Sequence, residues 1–109
     1  MKRDLHVKTN EDFEIAVRWC DQLLAPYALS SGEMHVRATA EAANPPLLTA
    51  TVTISVDNWA TAVIASSALT TLVDPPDLLV YDFVATRTDG RKKVLLEGTF
   101  MLIPGVTHG

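Results

Sequence analysis

Hydrophobic and polar residues alternate along several stretches of the chain, which is the pattern of strands that bury one face. The alternation is nearly perfect from Phe13 to Trp19, and it recurs from Glu33 to Ala40 and from Leu48 to Val56. The last stretch is rich in valine and threonine, β-branched residues that favour strands over helices. A further strand is predicted from Trp59 to Ala65. These stretches indicate an all-β chain.

The longest predicted element is a β-hairpin from Leu78 to Ile103, in which two apolar runs flank the pair Asp89-Gly90. An Asp-Gly pair favours a two-residue type I′ turn, because both central residues of that turn need a positive φ. This turn fixes which residues face each other. The predicted pairs are Tyr81 with Gly98, Asp82 with Glu97, Phe83 with Leu96, Val84 with Leu95, Ala85 with Val94, and Arg87 with Lys92. We expect Gly98 to leave room beside the Tyr81 ring.

Asp82 opposite Glu97 is a like-charge pair, which destabilises a sheet unless a cation lies between the carboxylates. Cross-strand pairs contribute roughly 0.2–1 kcal/mol, so a solvated pair at the rim of the sheet is tolerated. Two interpretations stay open at this point. The carboxylates are either solvated rim residues or part of a surface that a basic partner covers.

The remaining segments complete the expected architecture. Leu5 to Lys8 is a short extended segment, and Ser66 to Val73 predicts one helical turn with a serine N-cap. Leu23, Leu24 and Leu29 are expected to cover one end of the core. We predict an antiparallel β-sandwich of about seven strands with one short helical turn. Residues 1–10 would form an N-terminal arm or edge strand, residues 11–103 the sandwich domain and residues 104–109 a C-terminal tail.

Composition narrows the classes of function. A chain of 109 residues has room for one domain. Its formal net charge of −4 argues against a nucleic-acid partner, and we interpret the basic run Arg91-Lys92-Lys93 as a solvated turn. The single Cys20 excludes an intrachain disulfide. No apolar run follows the charged N-terminus or approaches the length of a membrane span, so we expect a protein folded in the cytoplasm, without a membrane partner.

The residues that carry most enzyme chemistry are dispersed. His6, His35 and His108 are far apart, so no metal-ligand spacing is present. Cys20 lacks a companion histidine pattern, and no serine lies in a nucleophile-elbow motif. No glycine-rich loop precedes a helix to hold phosphate. We therefore expect a protein that is not an enzyme, with no catalytic residue, no metal and no cofactor.

Several short motifs follow one another in a distinctive order. They are Trp19-x-Asp21, Pro26-Tyr27-Ala28-Leu29-Ser30, Met34-x-Val36-Arg37, Tyr81-Asp82, Asp89-Gly90, Leu95-Leu96-x-Gly98 and Pro104-x-Val106-Thr107. This order resembles small structural proteins of tailed bacteriophages, and it is similar to the N-terminal β-sandwich domain of siphophage baseplate upper proteins. The match spans Phe13 to Thr107. It departs from the family at Ala28, where an aspartate is usual, and at His108, where an arginine often follows Val-Thr.

The resemblance implies a virion protein without enzymatic activity, a homo-oligomer assembled on a symmetric ring after folding in the host cytoplasm. It would act as an adaptor or appendage-attachment protein of the tail, baseplate or head-tail region. The exposed strand surfaces and two termini that need not belong to the core suit binding of other virion proteins through sheet edges and arms, while an ordinary monomeric sandwich is the other interpretation of the same residues. The predicted interface residues are Leu5, Val7, Arg37, Asp82, Glu97, Val106, Thr107 and His108. A capsid decoration protein and a free-standing carbohydrate-binding β-sandwich with Trp59 as its aromatic platform remain alternatives.

Overall fold

The computed structural model describes residues 2–39, 46–70 and 78–103, which form two β-sheets and one short helix. The elements are β1 (Leu5–Lys8), β2 (Phe13–Val17), β3 (Leu29–Arg37), β4 (Leu48–Thr49), β5 (Thr51–Ile54), β6 (Ala60–Ile64), α1 (Ser66–Thr70), β7 (Leu78–Arg87) and β8 (Lys92–Ile103). One sheet has five strands in the order β1-β8-β7-β3-β4, and the other has three in the order β2-β6-β5. Among the described strands, β1 and β8 pair in parallel and the other neighbours pair antiparallel. The all-β sandwich-like fold is confirmed.

The predicted strand from Leu48 to Val56 contributes to both sheets. Its first part, β4, pairs with β3, whereas its second part, β5, pairs with β6. The change of sheet occurs at Ala50, which is buried and donates its N–H to the Met34 carbonyl at 3.0 Å. The described residues therefore contain eight strands where the alternation predicted about seven.

The core lies between the two sheets. The largest fully buried side chains are Phe83, Phe100, Met34, Leu69, Leu79 and Val36. On β2, Phe13 and Ile15 pack against this core while Glu14 and Ala16 are exposed, as the alternation predicted. The Phe13 and Phe100 rings meet edge to face with centroids 5.5 Å apart, so aromatic packing joins the two sheets.

The turn of the β7–β8 hairpin differs from the predicted type I′ turn. Gly90 has a φ of 91°, but Asp89 does not have a positive φ. The Arg87 N–H donates to the Arg91 carbonyl at 2.8 Å, and the Gly90 N–H donates to the Arg87 carbonyl at 2.9 Å. This is a three-residue loop whose last residue is a left-handed glycine, a common alternative for the same dipeptide.

The extra loop residue moves the pairing near the turn by one position. Val84 faces Val94 and Ala85 faces Lys93, so the predicted partners of Val84, Ala85 and Arg87 were wrong. A β-bulge at Leu95 then restores the expected register. The pairs Tyr81–Gly98, Asp82–Glu97 and Phe83–Leu96 are confirmed.

The N-terminal segment forms an edge strand. β1 pairs in parallel with β8, and its Leu5 and Val7 side chains are buried in the core. The expectation that the first ten residues need not belong to the core is therefore wrong for these two positions. The short helix α1 buries Leu69. The predicted tail from Pro104 to Gly109 lies outside the described residues.

Candidate functional site

A groove of about 480 Å³ lies on the outer face of the five-stranded sheet, where β3, β7 and β8 run side by side. Its lining residues are Lys2, Asp4, His35, Arg37, Val80, Tyr81, Asp82, Glu97, Gly98 and Thr99. Three of the predicted interface residues, Arg37, Asp82 and Glu97, come together here. Strand pairing therefore gathers residues from distant parts of the chain into one surface.

Four titratable residues cross the groove in one row, because Lys2 pairs with Glu97 beside the strands that carry His35 and Asp82. Asp82 on β7 faces Glu97 on β8 and His35 on β3, and residues directly opposite each other share a face of the sheet. Asp82 is half-buried, while Glu97 is exposed. Counting only aspartate, glutamate, lysine and arginine, the three carboxylates and two basic side chains of the lining give the groove a formal charge of −1. The predicted like-charge pair lies at its centre.

The N-terminal residues are anchored at one side of the groove by Tyr81. The Tyr81 hydroxyl donates to the Arg3 carbonyl at 2.7 Å, and the Arg3 N–H donates to the Glu97 carbonyl at 2.8 Å. Burial raises the pKa of Tyr81; Arg3 lowers this pKa, whereas the Asp4 and Glu97 carboxylates raise it further. These contacts place Lys2 and Asp4 beside the strand residues of the groove.

Gly98 permits this anchoring. Its φ is 151°, and a Cβ at this position would lie 2.5 Å from the Arg3 carbonyl oxygen. The space that we expected Gly98 to leave beside the Tyr81 ring is thus taken by the Arg3 backbone. A side chain at Gly98 would displace the N-terminal edge of the groove.

Replacing Asp82 with asparagine is expected to stabilise the isolated protein by about 0.2–1 kcal/mol, because the change removes the repulsion between two facing carboxylates. Urea unfolding at pH 7, followed by circular dichroism, measures the effect. In a Glu97→Gln background the same substitution should give no such gain. A loss of stability in the single variant would show that neighbouring cations already offset the pair.

A second surface lies at the end of the molecule where three loops meet. We call it the loop end and define it as residues 18–28, 55–59 and 87–93. The Thr88 N–H donates to the Ala28 carbonyl at 3.0 Å, and the Arg18 guanidinium donates to the Asp57 carbonyl at 2.9 Å. These hydrogen bonds join the β7–β8 and β5–β6 loops to the segment between β2 and β3.

Large apolar side chains project from the loop end. The exposed fractions are 89% for Leu23, 81% for Leu24, 98% for Val56 and 40% for Trp59. We expected Leu23 and Leu24 to cover the core, and this was wrong, although Leu29 is buried as predicted. The Asp21 carboxylate accepts hydrogen bonds from the N–H groups of Leu23 and Ala25, at 2.8 and 3.0 Å. These bonds close a tight turn in which both leucine side chains point outward.

Cations and aromatic rings stack within the loop end. The Arg87 guanidinium lies 3.9 Å from the Tyr27 ring centroid and forms a 2.7 Å ion pair with Asp89. The Arg18 guanidinium lies 4.5 Å from the Trp59 ring centroid, so one face of the suggested carbohydrate platform is covered.

The loop end carries a net positive charge, because its five basic and three acidic side chains give a formal charge of +2. The run from Arg91 to Lys93 is exposed, as expected of a solvated turn.

The other predicted interface residues are distributed differently. Leu5 and Val7 are core residues, while Val106, Thr107 and His108 lie outside the described residues. Within residues 2–39, 46–70 and 78–103, no group of three histidine, cysteine or acidic side chains is arranged to hold a metal ion. No helix in those same ranges is long and apolar enough to cross a membrane.

Comparison of the chain with known proteins adds no family to this description. No protein-family model matches the sequence, and no curated protein is significantly similar to it.

Proposed function

We propose that this protein is a non-enzymatic structural protein of a tailed-bacteriophage virion. It acts as an adaptor or attachment protein of the tail, baseplate or head-tail region and binds neighbouring subunits through the groove on its five-stranded sheet. The motif order described above supports the virion assignment, and the all-β sandwich-like fold agrees with it. The groove supports the assignment of a binding surface.

The observation that carries the proposal is the Asp82–Glu97 pair. Two carboxylates that face each other across neighbouring strands repel, and Asp82 is also half-buried. A partner that places a lysine or arginine between them would turn this repulsion into two attractive interactions. Lys2 and Arg37 line the same groove, and a further cation from a partner would add to their attraction for the two carboxylates.

The shape of the groove also favours a protein partner. It runs across three adjacent strands and is lined by charged side chains together with the apolar side chain of Val80. Protein interfaces combine an apolar centre with polar residues at the rim in this way. A loop or strand from a neighbouring subunit fits such an open surface.

Incorporation into virions tests the proposal. Phage particles would be produced with the wild-type chain or with the groove variant Asp82→Lys/Glu97→Lys, purified on a density gradient and quantified by mass spectrometry. We expect the wild-type chain at a fixed copy number and the groove variant to be absent. The copy number separates an adaptor, which follows the symmetry of a ring, from a capsid decoration protein, which follows the capsid lattice.

A matched control carries the same change in charge elsewhere. Glu11 and Glu14 are exposed near and on β2 and do not line the groove, so Glu11→Lys/Glu14→Lys should be incorporated normally. Absence of the wild-type chain from purified particles would overturn the virion assignment. Normal incorporation of the groove variant would overturn the role of the groove.

A further inference from the structure

We propose that the groove binds the loop end of a second copy of this chain, so that copies associate head to tail. This inference rests on the proposed function, because it names the partner of the same groove. It is carried by three features of the structure. They are the exposed apolar side chains of the loop end, the opposite charges of the two surfaces and their separate positions on the molecule.

The loop end presents apolar side chains on hydrogen-bonded loops. Leu23 and Leu24 follow the turn closed by the Asp21 carboxylate, and Val56 lies in a loop closed by hydrogen bonds between Ser55 and Trp59. Burying a leucine or valine side chain contributes roughly 1.5–3 kcal/mol. Such side chains grouped at one end of a folded protein mark an interaction site.

The charges of the two surfaces are complementary. The loop end has a formal charge of +2, and its Arg91, Lys92 and Lys93 side chains are exposed. The groove has a formal charge of −1 and contains the facing carboxylates of Asp82 and Glu97. A basic side chain from the loop end would therefore meet the carboxylate pair.

The outer face of the sheet also offers apolar surface beside these carboxylates. Leu78 and Met101 face each other on β7 and β8, and both are exposed. Val80 lies between Leu78 and Asp82 on the same face and lines the groove. The leucines of the loop end would pack on this surface while its basic residues approach the carboxylates.

The two surfaces of one copy are far enough apart to bind different neighbours. Asp82 precedes Arg87 by five residues on β7, which corresponds to roughly 16 Å of extended strand. An interface between two different surfaces is heterologous, and its repetition produces a ring or an open filament. A second copy supplies both the cations and the groove that this geometry requires, whereas a lipid surface would leave the groove without a role.

Mixing two variants tests the head-to-tail arrangement. The loop variant is Leu23→Ser/Leu24→Ser, and the groove variant is Asp82→Lys/Glu97→Lys. Light scattering after gel filtration should show concentration-dependent assembly of the wild-type protein. Each variant alone should self-associate with an affinity that is roughly tenfold or more lower, because each loses central contacts of the interface. An equimolar mixture should form a 1:1 dimer and nothing larger, because only one complementary pair of surfaces remains.

The controls separate loss of binding from loss of folding. Circular dichroism should show folded protein for both variants, and the single variant Glu97→Lys replaces the groove variant if Asp82→Lys unfolds the chain. Glu11→Lys/Glu14→Lys should assemble like the wild type. A wild-type protein that stays monomeric at millimolar concentration would overturn the inference. So would a mixture that forms no dimer.

The experiments distinguish a lipid surface from a second copy as the partner, and they test the head-to-tail contact separately from the virion role. Binding of the wild-type protein to vesicles containing phosphatidylserine, lost in the loop variant and without self-association, would replace the second copy with a membrane. A monomeric protein that still enters virions through its groove would refute the head-to-tail contact and leave the proposed function intact. Head-to-tail assembly without incorporation into virions would refute the virion role alone.

Discussion

Replacing Phe100 with alanine is expected to lower the free energy of unfolding by about 3–5 kcal/mol. Phe100 is fully buried on β8, and its ring meets Phe13 of the other sheet at 5.5 Å and Tyr81 at 6.4 Å. Truncation leaves a cavity between the sheets. Closing it would require a strand to shift out of its hydrogen-bonded position in its own sheet. Because small domains are stable by only about 5–15 kcal/mol, the variant should lie close to unfolding.

Urea unfolding followed by circular dichroism measures this loss, with Met101→Ala as the matched control. Met101 is the next residue of the same strand, but it is exposed on the outer face. Its truncation should change stability by no more than about 0.5 kcal/mol in dilute, monomeric protein. Similar small losses for both variants would contradict the role of Phe100 in joining the sheets.

Replacing Gly98 with alanine is expected to cost about 2–4 kcal/mol, the combined effect of an unfavourable φ and of overpacking. The new Cβ would lie 2.5 Å from the carbonyl oxygen and 3.0 Å from the carbonyl carbon of Arg3. These are backbone atoms, which cannot rotate away as a side chain would. We expect the segment that precedes β1 to be displaced, with loss of the Tyr81–Arg3 hydrogen bond.

Gly90→Ala provides the control for backbone conformation alone. Gly90 has a φ of 91°, but a Cβ there would meet no atom of the described residues within 4 Å, so only the unfavourable φ remains, at about 1 kcal/mol. Hydrogen exchange should show faster exchange of the Arg3 amide in Gly98→Ala and not in Gly90→Ala. Equal losses of stability in the two variants would show that the Arg3 backbone moves aside without cost.

Much of the fold could be predicted because each strand buries one face. The hairpin from Leu78 to Ile103 appears where the pattern placed it, and the alternation from Phe13 to Trp19 contains β2, which ends two residues earlier, at Val17. The change of sheet at Ala50 could not be predicted, because inward residues of either sheet point to the same core and the alternation continues through the change. The turn type was also ambiguous, since Asp-Gly is compatible with both a two-residue and a three-residue loop.

The candidate site was predictable only where it depends on the hairpin. The Asp82–Glu97 pair follows from local register, and the expected register survives because the bulge at Leu95 cancels the longer loop. Lys2 and Asp4 reach the groove through pairing between the first and last strands, which no local pattern reveals. Leu24 points outward in a turn where the Asp21 carboxylate accepts the N–H groups of the residues on either side of it, Leu23 and Ala25. The pattern of hydrophobic residues does not reveal such hydrogen bonds.

The parallel pairing of β1 with β8 has a consequence for how the chain acquires its structure. Leu5 pairs with Phe100, so β1 is synthesised well before its partner β8 and stays unpaired until β8 has been made. Contacts of such long sequence separation slow folding, and Leu5 and Val7 stay exposed to solvent in the meantime. During synthesis, the N-terminal strand would therefore be a transient target for chaperones, and its docking would be among the last steps of folding.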